Sequence, residues 1–458
     1  MKPTEEFLKE IFLERRKARG HWFPHLLPAQ RLVLFFFLLV MLGTGLLLLP
    51  WAVPADRPLS WVDALFTATS AVCVTGLIVR DTATAFTPFG QVVIAFLIQA
   101  GGLGYMLLAT SAAALAGRRI GVQERVTIKQ ALNLDTAEGL GRFVRNVLLV
   151  TFLIEAIGAV VLTLAYWPGR SLPRALALGS FHAVSGFNNA GFTLFSDNLM
   201  GRGGVPAAIW TIVALAIVGG LGFFVLNEFL GFFRRGDRPP RLSVHTKTVL
   251  WTTALLLVLG GLGLWAAGGG DWSHALFLSG AARTAGFNVE NTAGLSQAAR
   301  FLLIPLMFIG ASPGGTGGGI KTTTLAVLMV SLWALLRGRK APLVFRRRLG
   351  METIYRAFIV TLTMGVLLFG GTLVMTLWEG LPLEAVLFEM TSALGTVGLS
   401  MGDGGNLSLC ATFSLPGKLA VAASMFLGRL GPVTLALATA SAVGKEYIIH
   451  PEGRVSIG

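Results

Sequence analysis

The chain has 458 residues, of which 54% are hydrophobic and only 13% charged, with 57 glycines and a mean hydropathy of +0.71. Soluble domains carry about 25% charged residues, so this chain has too little charge to coat the surface of water-facing cores. That excludes a soluble protein, and two cysteines, Cys73 and Cys410, exclude a disulfide framework. What remains is a polytopic membrane protein.

The net charge of +14 resembles a nucleic-acid signal until it is placed along the chain. Most Lys and Arg residues fall in five blocks, 1–31, 118–145, 234–247, 337–356 and 445–454, while the loops between carry a slight acidic excess. This alternation follows the positive-inside rule and puts the five blocks, with both termini, in the cytoplasm. The basic balance therefore reports topology and contact with membrane lipids, and no nucleic acid is expected.

In chain order, residues 1–31 form a mixed-charge cytosolic arm without the features of a signal peptide. Pore repeat 1 covers 32–117, a cytosolic linker 118–145, repeat 2 146–233, and a second linker 234–247. Repeat 3 covers 248–336, a third linker 337–356, repeat 4 357–444, and a tail 445–458. The stretches 32–50, 82–117, 205–227, 248–270 and 357–378 contain no Asp, Glu, Lys or Arg, as membrane spans require.

Each repeat has one plan: a long span, a short apolar stretch ending in glycine, and a second long span. The short signatures are Ser70-Ala71-Val72-Cys73-Val74-Thr75-Gly76-Leu77, Ser185-Gly186-Phe187-Asn188-Asn189-Ala190-Gly191-Phe192, Gly280-Ala281-Ala282-Arg283-Thr284-Ala285-Gly286-Phe287 and Ser392-Ala393-Leu394-Gly395-Thr396-Val397-Gly398-Leu399. Each ends in Gly followed by Leu or Phe, and the signatures recur about every hundred residues.

A dozen helical residues reach roughly 18 Å, against a hydrocarbon core of about 30 Å, so the stretch before each glycine is a re-entrant half-helix. Non-helical backbone at that depth is tolerated only where it is buried or lines water. Each half-helix would aim the negative end of its dipole at a common centre, where backbone carbonyls could replace an ion's hydration water. The geometry favours a cation. The alternative treats the four glycines as helix-packing positions.

These four signatures resemble the filter sequences of the Trk/Ktr/HKT superfamily of potassium transporters, over essentially the whole chain. Within it the chain looks like the membrane subunit of a bacterial Ktr-type uptake system. The resemblance implies an all-α polytopic fold, four tandem helix–pore loop–helix units in pseudo-fourfold arrangement around one pore, with eight transmembrane helices. It implies a multi-pass protein of a bacterial cell membrane whose filter is built from Val74, Thr75, Gly76, Asn188, Asn189, Ala190, Gly191, Thr284, Ala285, Gly286, Thr396, Val397 and Gly398. Their backbone carbonyls would hold K+. In the plant branch, Ser at the first filter position goes with Na+ selectivity; Gly in all four places favours K+, although no repeat has the full five-residue filter of tetrameric channels, so Na+ passage stays open. No organic cofactor is expected in this chain. The family's membrane subunits are homodimers on a cytosolic ring of RCK subunits that bind ATP or ADP.

The second span of repeat 3 is interrupted by a Gly-rich intramembrane loop, 311–320, containing Ser312, Pro313, Gly314, Gly315, Thr316, Gly317, Gly318 and Gly319, with Lys321 next. Such a run cannot sustain a helix. A phosphate-binding loop fails on spacing, because Ile320 separates the last glycine from Lys321, and on its apolar flanks. The resemblance implies a gate, and implies that Arg429, alone in an apolar span, lies near the loop as an electrostatic barrier. A mid-membrane Arg costs at least about 2.5–3.5 kcal/mol to insert and so needs a cavity or polar partners. Lys321 reads either as a second gate charge or as a snorkelling helix end. Arg283 reads as an anchor for its pore loop, and Glu155 as a helix-bonding or ion-handling group. Asn188 and Asn189 read as holding filter carbonyls or donating an oxygen, and Asp63, Asp271 and Glu384 as caps of their half-helices. Scattered histidines, with no HExxH or GxSxG element, argue against an enzyme; an ion-coupled secondary transporter with broken helices is the other reading.

Overall fold

The computed structural model describes residues 28–115, 140–201, 205–234, 242–268, 271–339 and 341–439. The N-terminal arm up to residue 27, most of linker 118–145, half of linker 234–247, and the tail 445–458 lie outside the described residues.

Among the described residues, four helices are long and apolar enough to cross a bilayer unbroken: α1 Pro28–Leu47, α4 Leu140–Tyr166, α8 Val244–Ala266 and α12 Met351–Glu379. Large apolar side chains on them, such as Phe37, Leu153, Leu255 and Phe369, are exposed, as a lipid-facing surface demands. Each is followed by a short helix: α2 Trp61–Val72, α5 Leu172–Phe187, α9 Trp272–Ala281 and α13 Leu383–Gly395. These run from 10 to 16 residues, too few to span, and their C-terminal ends are buried.

A third group follows, and every member is broken. Helix α3, Pro88–Leu115, is interrupted at Gly104 (φ 74°, ψ 164°). Helices α6 Pro206–Leu221 and α7 Phe223–Arg234 meet at Gly222 (φ 97°, ψ 145°) with a bend of 92°. Helices α14 Leu415–Leu430 and α15 Pro432–Thr439 meet at Gly431 (φ 78°, ψ 147°). In repeat 3, the Gly-rich segment separates α10 Gln297–Phe308 from α11 Thr322–Leu336. Sequence reading expects one interruption and continuous spans over 82–117 and 205–227; that expectation is corrected here. The φ/ψ pair shared by Gly104, Gly222 and Gly431 is closed to residues with a Cβ, so each helix stops there. The tetrads Gly101-Gly102-Leu103-Gly104, Gly219-Gly220-Leu221-Gly222 and Gly428-Arg429-Leu430-Gly431 mark the same place three times. Their first glycines press directly on carbonyls near the short-helix ends, those of Val72, Phe187 and Leu394.

Each short helix packs on the long helix before it, and each third-group helix reaches the short helix of the next repeat. Thus α3 touches α5, α6 touches α9, α10 touches α13, and α14 returns to α2. Beyond α11, linker 337–356 folds into a hairpin, β1 Leu343–Val344 paired with β2 Arg347–Arg348, which the sequence reading lacks.

Candidate ion pathway

Past each short helix the backbone takes the same path. Positive φ occurs at the glycine that closes each signature and again two residues earlier: Val74 and Gly76 (55° and 91°), Asn189 and Gly191 (59° and 69°), Thr284 and Gly286 (73° and 72°), Thr396 and Gly398 (52° and 97°). Left-handed conformation is uncommon for a non-glycine and an outlier for β-branched Val and Thr, costing of order 1–3 kcal/mol each. Sequence reading anticipated unusual backbone only at the glycines. Val, Asn, Thr and Thr share no chemistry that signals it; only register against the glycine does.

Buried hydroxyls hold these segments from behind. Ser70 Oγ accepts from Gly76 N–H at 3.1 Å and Ser392 Oγ from Gly398 N–H at 3.0 Å, while Ser185 Oγ donates to Phe192 O at 2.7 Å. The four glycines stand in a closed circuit. A methyl added to Gly76 would strike Ala190 O and Gly191 Cα, and one on Gly191 would meet Ala285 O and Gly286 Cα, both at 3.1 Å. One on Gly286 would strike Val397 O and Gly398 Cα, and one on Gly398 would return to Thr75 O and Gly76 Cα. Gly76, Gly191 and Gly398 also line a cavity of about 230 Å3, together with Thr193, Asn288 and Ser400.

The Gly-rich segment lies directly against this circuit. Gly318 N–H donates to Thr396 Oγ1 at 2.9 Å, and Asn189 Nδ2 donates to Thr316 Oγ1 at 2.7 Å. Phe223 N–H donates to Gly314 O, and Ser312 N–H donates to Gly220 O, both at 2.9 Å, which fastens the segment to the break in repeat 2. Ser312 and Thr316 are fully buried. Lys321 stands at the N-cap position of α11, without a side-chain cap bond, and donates from Nζ to Gly317 O at 2.7 Å. Arg429 Nη1 donates to Thr316 O, and its Nη2 donates to Gly101 O at 2.5 Å and Gly102 O at 3.3 Å. One guanidinium therefore ties the segment to the break in repeat 1.

Other expectations need adjusting. Neither Asn188 nor Asn189 holds a filter carbonyl through its side chain: Asn189 bonds the Gly-rich segment, and Asn188 Nδ2 donates to Gln99 Oε1 at 2.9 Å and Glu155 Oε1 at 3.1 Å. Glu155 is thus a buried partner of Asn188, just past the end of α5. Arg283 is 8% exposed and points Nη1 at Thr253 O on α8, 3.4 Å away, in the anchoring position. Asp271 does cap its helix, accepting from His274 N–H at 2.9 Å. Asp63 and Glu384 do not. Asp63 Oδ2 accepts from Arg80 Nε at 2.9 Å and its Oδ1 from Lys418 Nζ at 3.2 Å, while Ser60 takes the cap. Glu384 pairs with Arg300 at 2.8 Å. The short helix α2 of repeat 1 is thereby joined to α14 of repeat 4, and the short helix α13 of repeat 4 to α10 of repeat 3. Because the Asp63 side chain is only 5% exposed, Asp63→Asn is expected to cost about 2–3 kcal/mol, discounted for the half-exposed Arg80, and to lower the detergent melting temperature by several degrees. Cys73 and Cys410 are buried and unpaired.

A family model described as cation transport protein (TrkH) matches residues 28–266 and 266–448. This chain belongs to the TrkH cation transport family. Among curated relatives of this TrkH-family chain, the Ktr system potassium uptake protein B of Bacillus subtilis (strain 168) is 38% identical over 94% of this chain and 97% of its own length. The protein of the same name from Vibrio alginolyticus is 37% identical, with 97% of each covered. The potassium/sodium uptake protein NtpJ of Enterococcus hirae is 35% identical over 94% of this chain and 97% of that protein. The crystal structure of the potassium transporter TrkH from Vibrio parahaemolyticus superposes with a TM-score of 0.68, at 20% identity, covering 89% of this chain and 83% of the other, which establishes likeness of fold. TrkH-family proteins are transporters, and this one is not an enzyme.

Proposed function

We propose that the chain conducts K+ inward across a bacterial cell membrane, through one pore enclosed by four helix–pore loop–helix units, 32–117, 146–233, 248–336 and 357–444. Each unit crosses twice in this reading, once by its unbroken helix and once by its broken pair, giving eight crossings with the cytoplasmic blocks on one side. The observation that carries it is the circuit of filter glycines, each lodged against backbone of the next repeat. Backbone alternating between positive and negative φ turns successive carbonyls toward one side, which is what dehydrating a monovalent cation needs.

The Gly-rich segment, with Arg429 and Lys321, acts as the gate beneath that filter. Two cations bonded to the carbonyls of Thr316 and Gly317 place positive charge in the path while the segment is seated. Relatives named as parts of a Ktr system support an assembly with partner subunits; the form proposed for it, from the family resemblance, is a homodimer on a cytosolic nucleotide-binding ring of RCK type. One relative is named for both potassium and sodium uptake, so a Na+-permeable pore is the second reading.

Rubidium uptake into vesicles holding the purified chain, with and without competing sodium, tests both. Saturable Rb+ uptake that excess Na+ leaves largely intact supports the K+ reading. Uptake blocked by equal Na+ supports the second, and no cation uptake refutes the pore.

A further inference from the structure

We infer that Glu389 and His182 are positioning residues for the filter, bracing the outer ends of its fourth and second segments from equivalent places in two repeats. The inference rests on the pore reading and adds to it which side chains set ion discrimination. Glu389 precedes Gly398, and His182 precedes Gly191, by the same nine residues. Both lie on short helices and both are 0% exposed. An ionisable group inside an apolar helix is expensive to bury and persists only when its hydrogen bonds are satisfied.

Those bonds run to the strand that leaves the filter. Glu389 Oε2 accepts from Ser400 Oγ at 2.6 Å, and Oε1 accepts from Cys410 N–H at 3.0 Å. Ser400 lies two residues beyond Gly398 and lines the cavity above the glycines. Its hydroxyl already accepts from Gly402 N–H at 3.0 Å and Leu409 N–H at 2.8 Å. A hydroxyl has one proton and two lone pairs, so with both pairs occupied Ser400 must donate, and only an acceptor fits opposite it. Glutamate supplies acceptors to both partners, which glutamine cannot do without turning one contact donor-to-donor.

His182 plays the matching part in repeat 2. Its Nδ1 lies 2.7 Å from Leu178 O and must carry the proton, which leaves Nε2 to accept Leu194 N–H at 3.4 Å. Leu194 lies three residues beyond Gly191, and the rings of Tyr166, Phe181 and Phe195 pack around the imidazole. Repeats 1 and 3 carry Thr67 and Phe277 at this place, with no ionisable group. The glycine circuit runs 76, 191, 286, 398, so the two braces belong to segments facing each other across it.

The test is Rb+ uptake by the reconstituted full chain, reading inhibition by Na+ separately from maximal rate. Ser400→Ala and Glu389→Gln are each expected to sharpen Na+ inhibition about tenfold, as losing a buried charged hydrogen bond implies, with a smaller change in maximal rate. Glu389→Ala combined with Ser400→Ala should cost less than the sum of the two single changes, because both remove the shared Ser400–Glu389 bond. His182→Leu should weaken discrimination, and His182→Gln, which keeps an acceptor, should restore it. Should Glu389→Ala aggregate in detergent, Ser400→Ala decides. Unchanged Na+ inhibition in Ser400→Ala and His182→Leu, or a fall in maximal rate alone, overturns the inference while leaving the pore intact. No uptake by the unmodified chain would remove both.

Discussion

Gly286→Ala is expected to abolish selective Rb+ uptake. The φ of 72° at this position costs an L-residue about 1–2 kcal/mol before any contact is counted. The added carbon would also strike Val397 O and lie within 3.2 Å of Gly398 Cα and Gly191 Cα, all backbone of other repeats. Backbone cannot rotate aside as a flexible side chain can, so the circuit must open by several tenths of an ångström. An ion is held by oxygens at fixed distance, and widening of that size removes the match to its radius. Uptake measured with competing Na+ should fall by more than tenfold, or persist without discrimination. The same change at Gly365, in α12 with open space around its Cα, should leave uptake near its original level.

The second large effect is a gain. Arg429→Ala should raise Rb+ flux about tenfold when the pore is otherwise shut. Its guanidinium bonds Thr316 O on one side and Gly101 O and Gly102 O on the other, a clamp between the Gly-rich segment and repeat 1. Hydrogen bonds to a charged group contribute about 1.5–3 kcal/mol each, so losing them shifts a seated-to-released equilibrium at least tenfold toward release. Removing the charge also lowers the barrier to a cation passing below the filter. Arg429→Lys keeps the charge but not the planar fork, and should fall between the two. Unchanged flux in Arg429→Ala would refute the gate assignment.

How much of this was legible in the sequence depended on whether a feature repeated in a form that only one structure permits. The short helices were legible because a dozen apolar residues ending at Gly76, Gly191, Gly286 or Gly398 cannot span a bilayer. Their common centre followed from the same four glycines. The Gly-rich break of repeat 3 was legible because a proline and five glycines leave no helical choice. The breaks at Gly104, Gly222 and Gly431 were not. Isolated glycines are tolerated inside membrane helices, so 82–117 and 205–227 read as continuous until the Gly-x-Leu-Gly tetrads are aligned with each other. Arg429 stands where two of those tetrads have their second glycine, which is why it reaches the breaks. Asp63 and Glu384 read as caps because local rules see only the helix they begin; the cations they bind, Lys418 and Arg300, come from elsewhere in the chain. Glu389 was missed for a related reason: its role lies in Ser400 and Cys410, which no helix-level pattern connects to it.

Anomalous scattering from crystals soaked in thallium or rubidium salts would locate the transported ion directly. A peak enclosed by the residues preceding Gly76, Gly191, Gly286 and Gly398, within coordination distance of their carbonyls, is the expected result. Ion density confined to sites outside that enclosure, in crystals of protein that still takes up Rb+, would contradict it.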